Sequence, residues 1–177
     1  MFKDLERILF ATNFSKNCQP AFDLSLSLAC RYHAILVLLH VIESDLPMTV
    51  ESEIRTNIGE DKWEELQKKY KQDARQTLIG KMTPESIAKT AFQQYCSEME
   101  NDKNKFLSTQ YQTIVAKGDV ANTILDEAEN HNCDIIVMGA KKGFLTGRKS
   151  NSLGSNIKQV MRKSKVPVVF VPPHFES

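Results

Sequence analysis

Residues 111–139 read YQTIVAKGDVANTILDEAENHNCDIIVMG. The run Tyr111 to Ala116 has the character of a strand, and Lys117-Gly118-Asp119 breaks it as a turn. Ala121 to Asn130 then follows helical spacing, with Asp119 placed to cap it. Asp134-Ile135-Ile136-Val137-Met138 is a second strand, short and continuously apolar after its acid. A strand, a helix and a strand in so short a span predict a parallel pair joined by a right-handed crossover.

The pattern extends in both directions. Downstream, a helix is expected from about Gly154 to Arg162 and a final strand over Val166 to Val171. Upstream, Arg7 to Ala11 is a buried strand ending in the turn Thr12-Asn13-Phe14-Ser15. A helix follows, with Pro20 in its first turn and Asn17 or Gln19 near its cap. Ala21, Leu24, Leu28 and Tyr32 form its apolar stripe. Ala34 to Val41 is apolar at nearly every position, as a central parallel strand covered on both faces requires. Five strands alternating with helices predict an α/β fold with a parallel sheet and helices on both faces.

Between the second and third strands the character changes. Residues 44–108 contain no strong strand. Trp63, Leu66, Tyr70 and Ala74 keep helical spacing, and Thr83-Pro84 reads as the start of a second helix carrying Ile87, Ala88, Ala91, Tyr95 and Met99. Glu43 to Gly59 reads as loop. The expectation is a single domain over 1–177, with a helical insertion at 44–108.

Composition narrows the function. The chain has 177 residues, 41% hydrophobic and 8% aromatic, enough for a real core and too apolar for a disordered tail. Its net charge of +1 hides a division. After Asp134 there are eight basic residues against one acid, Glu176; up to Asp134 there are 15 basic against 21 acidic. The body is acidic and the last quarter basic. The N-terminus carries Lys3, Asp4, Glu6 and Arg7, which leaves no apolar signal core. The longest apolar run, Ala34 to Leu39, is far short of the roughly 20 residues of a membrane span. Cys18, Cys30, Cys96 and Cys133 show neither a CxxC nor a metal-finger spacing, and are expected as buried thiols in a reducing cytoplasm.

The basic quarter is concentrated in one loop. After Met138-Gly139 come Lys141, Lys142, Gly143, Arg148 and Lys149, and then Gly154-Ser155-Asn156 opens a helix. Glycines permit close backbone approach, and a helix N-terminus supplies N–H groups with a partial positive charge. Together they describe a cradle for a small phosphorylated ligand; the plain alternative is a surface loop that uses glycine for its turns. Neither GxxxxGK[ST] nor GxGxxG is present. His40 reads as a packed histidine at a strand end rather than a base, and His33, His131 and His174 have no metal-ligand spacing.

These residues resemble the universal stress protein family. Ile8 to Ser15 is similar to its first strand and turn, and Leu38-Leu39-His40-Val41 to the end of its second strand. Lys117-Gly118-Asp119 is similar to its Gly-Asp turn, Asp134 to Gly139 to its fourth strand, and Val166 to Val171 to its last. The match covers about residues 5–43 and 110–172. The resemblance implies the sheet order 3-2-1-4-5, with a crevice where the order reverses between strands one and four. ATP-binding members hold the nucleotide there, on a pattern of Gly, two residues, Gly, nine residues, Gly, then Ser or Thr. This chain has three residues between Gly139 and Gly143 and ten between Gly143 and Gly154, so its loop is longer. Asn13 stands where those members carry Asp.

The resemblance implies a cytoplasmic stress-response protein that binds ATP or AMP as a sensor or regulator, without catalysis. Gly139, Gly143, Gly154 and the backbone of Ser155 and Asn156 would hold phosphates, and Lys141 and Lys142 would add charge. Thr12, Asn13 and Val41 would frame base and ribose. No acidic Mg²⁺ site and no positioned base are visible, which argues against the alternative of a slow ATPase. The other alternative is an interaction protein of the same fold whose pocket is empty and whose working surface is the insertion. The last strand, through Val166, Val168, Phe170 and Val171, would form a homodimer. An unidentified protein partner is implied, while the acidic body argues against nucleic acid.

Overall fold

The computed structural model describes residues 4–43, 52, 54–56, 58–77, 86, 90–91, 109–139 and 154–172. Its strands are β1 (Arg7–Ala11), β2 (Ile35–Ile42), β3 (Tyr111–Lys117), β4 (Ile135–Gly139) and β5 (Val168–Val171). The helices are α1 (Gln19–Tyr32), α2 (Glu60–Thr77), α3 (Val120–Asn130) and α4 (Ser155–Lys163). The sheet order is β3-β2-β1-β4-β5, with every neighbouring pair parallel.

The strands are apolar throughout because both faces are covered. Side chains alternate across the sheet. Ile8, Phe10, Leu36, Leu38 and Val137 pack with Ala21, Phe22, Leu26 and Ala29 of α1. Leu9, Ala11, Val37, Leu39 and Met138 pack with Ala121, Ile124 and Ala128 of α3 and with Ile157 and Val160 of α4. Phe10 and Phe22 meet edge to face, with ring centroids 5.5 Å apart. Trp63 and Leu66 of α2, with Ile54 and Ala91, join the cluster on the α1 side.

Asp134 fastens the middle of the sheet. Its Oδ2 accepts from the backbone N–H groups of Glu6 and Arg7, each at 2.9 Å, and its own N–H donates to Arg7 O at 2.8 Å. Asp119 caps α3 as expected, accepting from Asn122 N–H at 2.9 Å. At the other end of α1, His33 takes a left-handed conformation (φ 55°) and closes the helix through its N–H to Ala29 O.

Four expectations need adjustment. First, α1 is preceded by a 3-10 turn over Lys16–Cys18, so its cap position is Cys18 rather than Asn17 or Gln19. No side chain caps it; the turn at residues 12–15 feeds it directly. Second, β2 starts and ends one residue later than expected. Third, the last strand begins at Val168, not Val166. Ser164 Oγ accepts from Val166 N–H at 3.2 Å and donates to Val166 O at 2.7 Å, a local pairing that holds Val166 out of the ladder. Fourth, the stretch expected as loop over 43–59 is helical at residues 52, 54–56 and 58, where Ile54 is buried. The Ile87, Ala88, Tyr95 and Met99 stripe lies outside the described residues; Ser86, Thr90 and Ala91 are helical.

Cys18 and Cys133 are buried and Cys30 is half-buried, all as free thiols. Cys96 lies outside the described residues. Burial pushes the Cys133 thiol up to about 11. Among the described residues, no helix is long and apolar enough to cross a membrane.

Candidate functional site

A cavity of about 320 Å³ opens at the carboxyl ends of β1, β2 and β4, where the strand order reverses. One wall is the turn after β1. Thr12 Oγ1 accepts from Phe14 N–H at 3.0 Å, and Asn13 Oδ1 accepts from Ser15 N–H at 3.1 Å. These two side-chain turns in succession carry Phe14 at φ 62° and swing the chain into the 3-10 turn. Asn13 Oδ1 also accepts from the Cys18 thiol at 3.2 Å.

The floor is built by β2. Thr12 N–H donates to Leu39 O at 2.9 Å, which continues the β1–β2 pairing past the strand end. His40 Nδ1 lies 2.9 Å from Thr12 O, and a carbonyl can only accept, so that nitrogen carries the proton. The ring is buried and tilted against Phe14 at 4.5 Å. Burial lowers the His40 pKa, opposed in part by its bond to Thr12 O. His40 is therefore the packed, neutral strand-end residue expected, although it also lines the cavity.

The opposite wall is the start of α4. Gly154 is the cap residue (φ −51°, ψ 150°), and among the described residues no side chain caps the helix. Its carbonyl accepts from Lys158 N–H at 3.1 Å. A first helical turn leaves its N–H groups without partners in the helix, so the backbone of Ser155 and Asn156 faces the cavity as donors with the positive end of the helix behind them. A Cβ on Gly154 would meet nothing within 4 Å.

Gly139 stands differently. A Cβ there would lie 3.0 Å from Cys18 Cα, 3.1 Å from Asn17 O and 3.2 Å from Cys18 Sγ. The close approach that requires glycine at 139 is thus to the 3-10 turn of the chain itself.

Thr12, Asn13, Val41, Gly139, Gly154, Ser155 and Asn156 all line this one cavity. Lys141, Lys142 and Gly143 lie outside the described residues. The sequence reading missed Ser15, Asn17, Cys18, Glu43, Val120 and Ile124, which line it too. The first three arrive because the residue 12–15 turn folds back on β4, a geometry signalled by adjacent Thr and Asn before Phe14. Glu43 is the one carboxylate among the described lining residues. No group of three or more His, Cys, Asp or Glu is placed for a metal among the described residues. Of the residues expected at a dimer contact, Val168, Phe170 and Val171 lie on β5, which pairs with β4 alone at the sheet edge, and Val166 precedes it.

No curated protein matches the chain. Among solved structures it is similar to hypothetical protein MJ0577, with 25% identity, coverage of 99% of this chain and 100% of that one, and a TM-score of 0.55. It is also similar to a universal stress protein in complex with cAMP, with 15% identity, 97% and 99% coverage and a TM-score of 0.54. A third likeness is the universal stress protein from Archaeoglobus fulgidus in complex with dAMP, with 14% identity, 96% and 98% coverage and a TM-score of 0.54. The last two share the fold. The universal stress protein family itself matches over residues 5–172. With strand order, crevice and turn motifs all in agreement, the chain belongs to the universal stress protein family.

Proposed function

We propose that the chain is a cytoplasmic stress-response protein that binds an adenine nucleotide, ATP or AMP, in the cavity between β1 and α4, as a sensor or regulator rather than an enzyme. The observation that carries this reading is the N-terminus of α4, begun by a glycine with no side chain to cap it, opening on a cavity of ligand size. Phosphates rest against the N–H groups of Ser155 and Asn156 beside Gly154, with Gly139 behind and with Lys141, Lys142 and Gly143 of the connecting loop adding charge and backbone donors. Base and ribose lie between Thr12, Asn13 and Val41. The cAMP and dAMP held by two similar structures support an adenine nucleotide as the ligand class.

The non-catalytic reading rests on His40. Its Nδ1 proton is committed to Thr12 O, so that nitrogen is not placed to take a proton from a ligand. Mg²⁺, where it accompanies ATP, would be held chiefly by the phosphates, since Glu43 is the one carboxylate among the described lining residues. The whole chain is read as one domain because Ile54, Trp63, Leu66 and Ala91 of the insertion share a buried cluster with Ile8 and Phe10. Two copies are read as pairing through the edge strand β5, whose Val168 and Phe170 are half-buried.

Titration calorimetry with ATP, ADP and AMP, with and without Mg²⁺, tests the reading. Saturable binding without phosphate release supports it. Absence of heat and of any thermal shift at millimolar nucleotide removes it, and phosphate release would move the chain to the ATPases. Sedimentation as a monomer at micromolar concentration would remove the dimer.

A further inference from the structure

Asn13 offers one acceptor oxygen and one NH₂ donor group. The oxygen is occupied twice, by the Ser15 N–H at 3.1 Å and by the Cys18 thiol at 3.2 Å. A backbone N–H can only donate, so the chemistry of the turn fixes which end of the amide faces it. That leaves Nδ2 as the end that makes no bond within the turn, on a half-buried residue that lines the cavity. Among the described residues, no group accepts from Nδ2. The wall across from it, Ser155 and Asn156 at the start of α4, also presents backbone donors. Glu43, the one described carboxylate of the lining, is exposed beyond the end of β2.

We propose that Asn13 turns its amide NH₂ toward the bound ligand and selects for an acceptor oxygen there, a carbonyl or phosphate oxygen in place of a hydroxyl or amine hydrogen. The inference rests on the cavity being a nucleotide site. An aspartate at this position would keep the same turn with one oxygen and offer the other, with its charge, to the ligand. It would favour a ligand hydrogen and repel a ligand anion. Residue 13 thus sets the sign of recognition on the β1 side of the cavity.

Two of the donors of an adenine nucleotide serve for the exchange of a donor for an acceptor. The 6-amine becomes the 6-oxo group of inosine monophosphate, and the 3′-hydroxyl becomes the second phosphate of adenosine 3′,5′-bisphosphate. Calorimetry of the full chain and of Asn13→Asp with AMP and these two ligands reads the effect. The wild-type chain is expected to bind at least one of the exchanged ligands more tightly than AMP. Asn13→Asp is expected to move that preference toward AMP by about tenfold or more, the scale of one polar group gained or left unpaired. A wild-type chain that prefers AMP over both, or a variant that changes all three affinities by one common factor or not at all, overturns the proposal while the nucleotide site stands. If none of the three binds either protein, the nucleotide site fails, and this inference with it.

Discussion

Gly139 at the end of β4 and Cys18 before α1 touch backbone to backbone: a Cβ on Gly139 would sit 3.0 Å from Cys18 Cα. The contact clamps the turn that follows β1 against the neighbouring strand, and so fixes one wall of the cavity. A Cα cannot swing aside as a long side chain can. Gly139→Ala is therefore expected to destabilise the fold by about 1–3 kcal/mol through overpacking. Urea unfolding of the two proteins measures it, and an unchanged midpoint would show that the turn yields freely.

Gly154 is the opposite case, since the space around its missing side chain is open. Gly154→Glu is expected to leave stability within about 0.5 kcal/mol of wild type, the range of exposed substitutions. A carboxylate near a helix N-terminus is electrostatically welcome there. The same carboxylate would occupy the anion position, so nucleotide affinity should fall by about tenfold or more. Intact binding by calorimetry would move the phosphates away from α4.

His40 gives the fold a pH dependence with a definite sign. Burial lowers its pKa in the folded chain below the ordinary value of about 6.5. The unfolded chain therefore takes up the proton first. The contribution is fully present above about 6.5 and is lost as pH falls below it, at up to about 1.4 kcal/mol per pH unit, until the folded-state value is reached. Denaturant titrations between pH 7.5 and 5 should show wild type losing more stability than His40→Gln. Parallel losses in the two proteins would place the proton uptake elsewhere.

Asp134 holds two backbone donors of the β1 entry, Glu6 and Arg7, on a single oxygen. Asp134→Ala leaves both to find other partners and should cost about 1–3 kcal/mol. Asp134→Asn keeps an acceptor oxygen and should recover most of it. Thermal melts of the pair distinguish a hydrogen-bonding role from one of charge alone, for which both variants would fall together.

The strands were readable because a doubly covered parallel strand leaves almost no polar position, as Leu36 to Leu39 illustrate. Boundaries set by side-chain bonding to the backbone were harder. Val166 has strand composition, yet Ser164 holds it outside the ladder. The start of α1 has Pro20 in its first turn, but Cys18 at the cap makes no side-chain capping bond that would announce it. In the cavity, the residues at strand ends and at the α4 start could be named from order and spacing. Ser15, Asn17 and Cys18 could not, because their place depends on how the turn at Asn13 folds over Gly139. Helix within 43–59 was missed because its buried anchor, Ile54, sits among polar neighbours with little periodic signal.

The Asp134 clamp reaches residues 128 and 127 positions earlier in the chain. During synthesis β1 leaves the ribosome well before β4, one of its two neighbours in the sheet. Until then the nascent chain can assemble β1, β2 and β3 and no more, with the β4 side of β1 uncovered. Non-local pairing of this kind is expected to slow folding relative to a domain held by local contacts. The basic stretch after Asp134 therefore also carries the strand whose arrival lets β1 close on its second side.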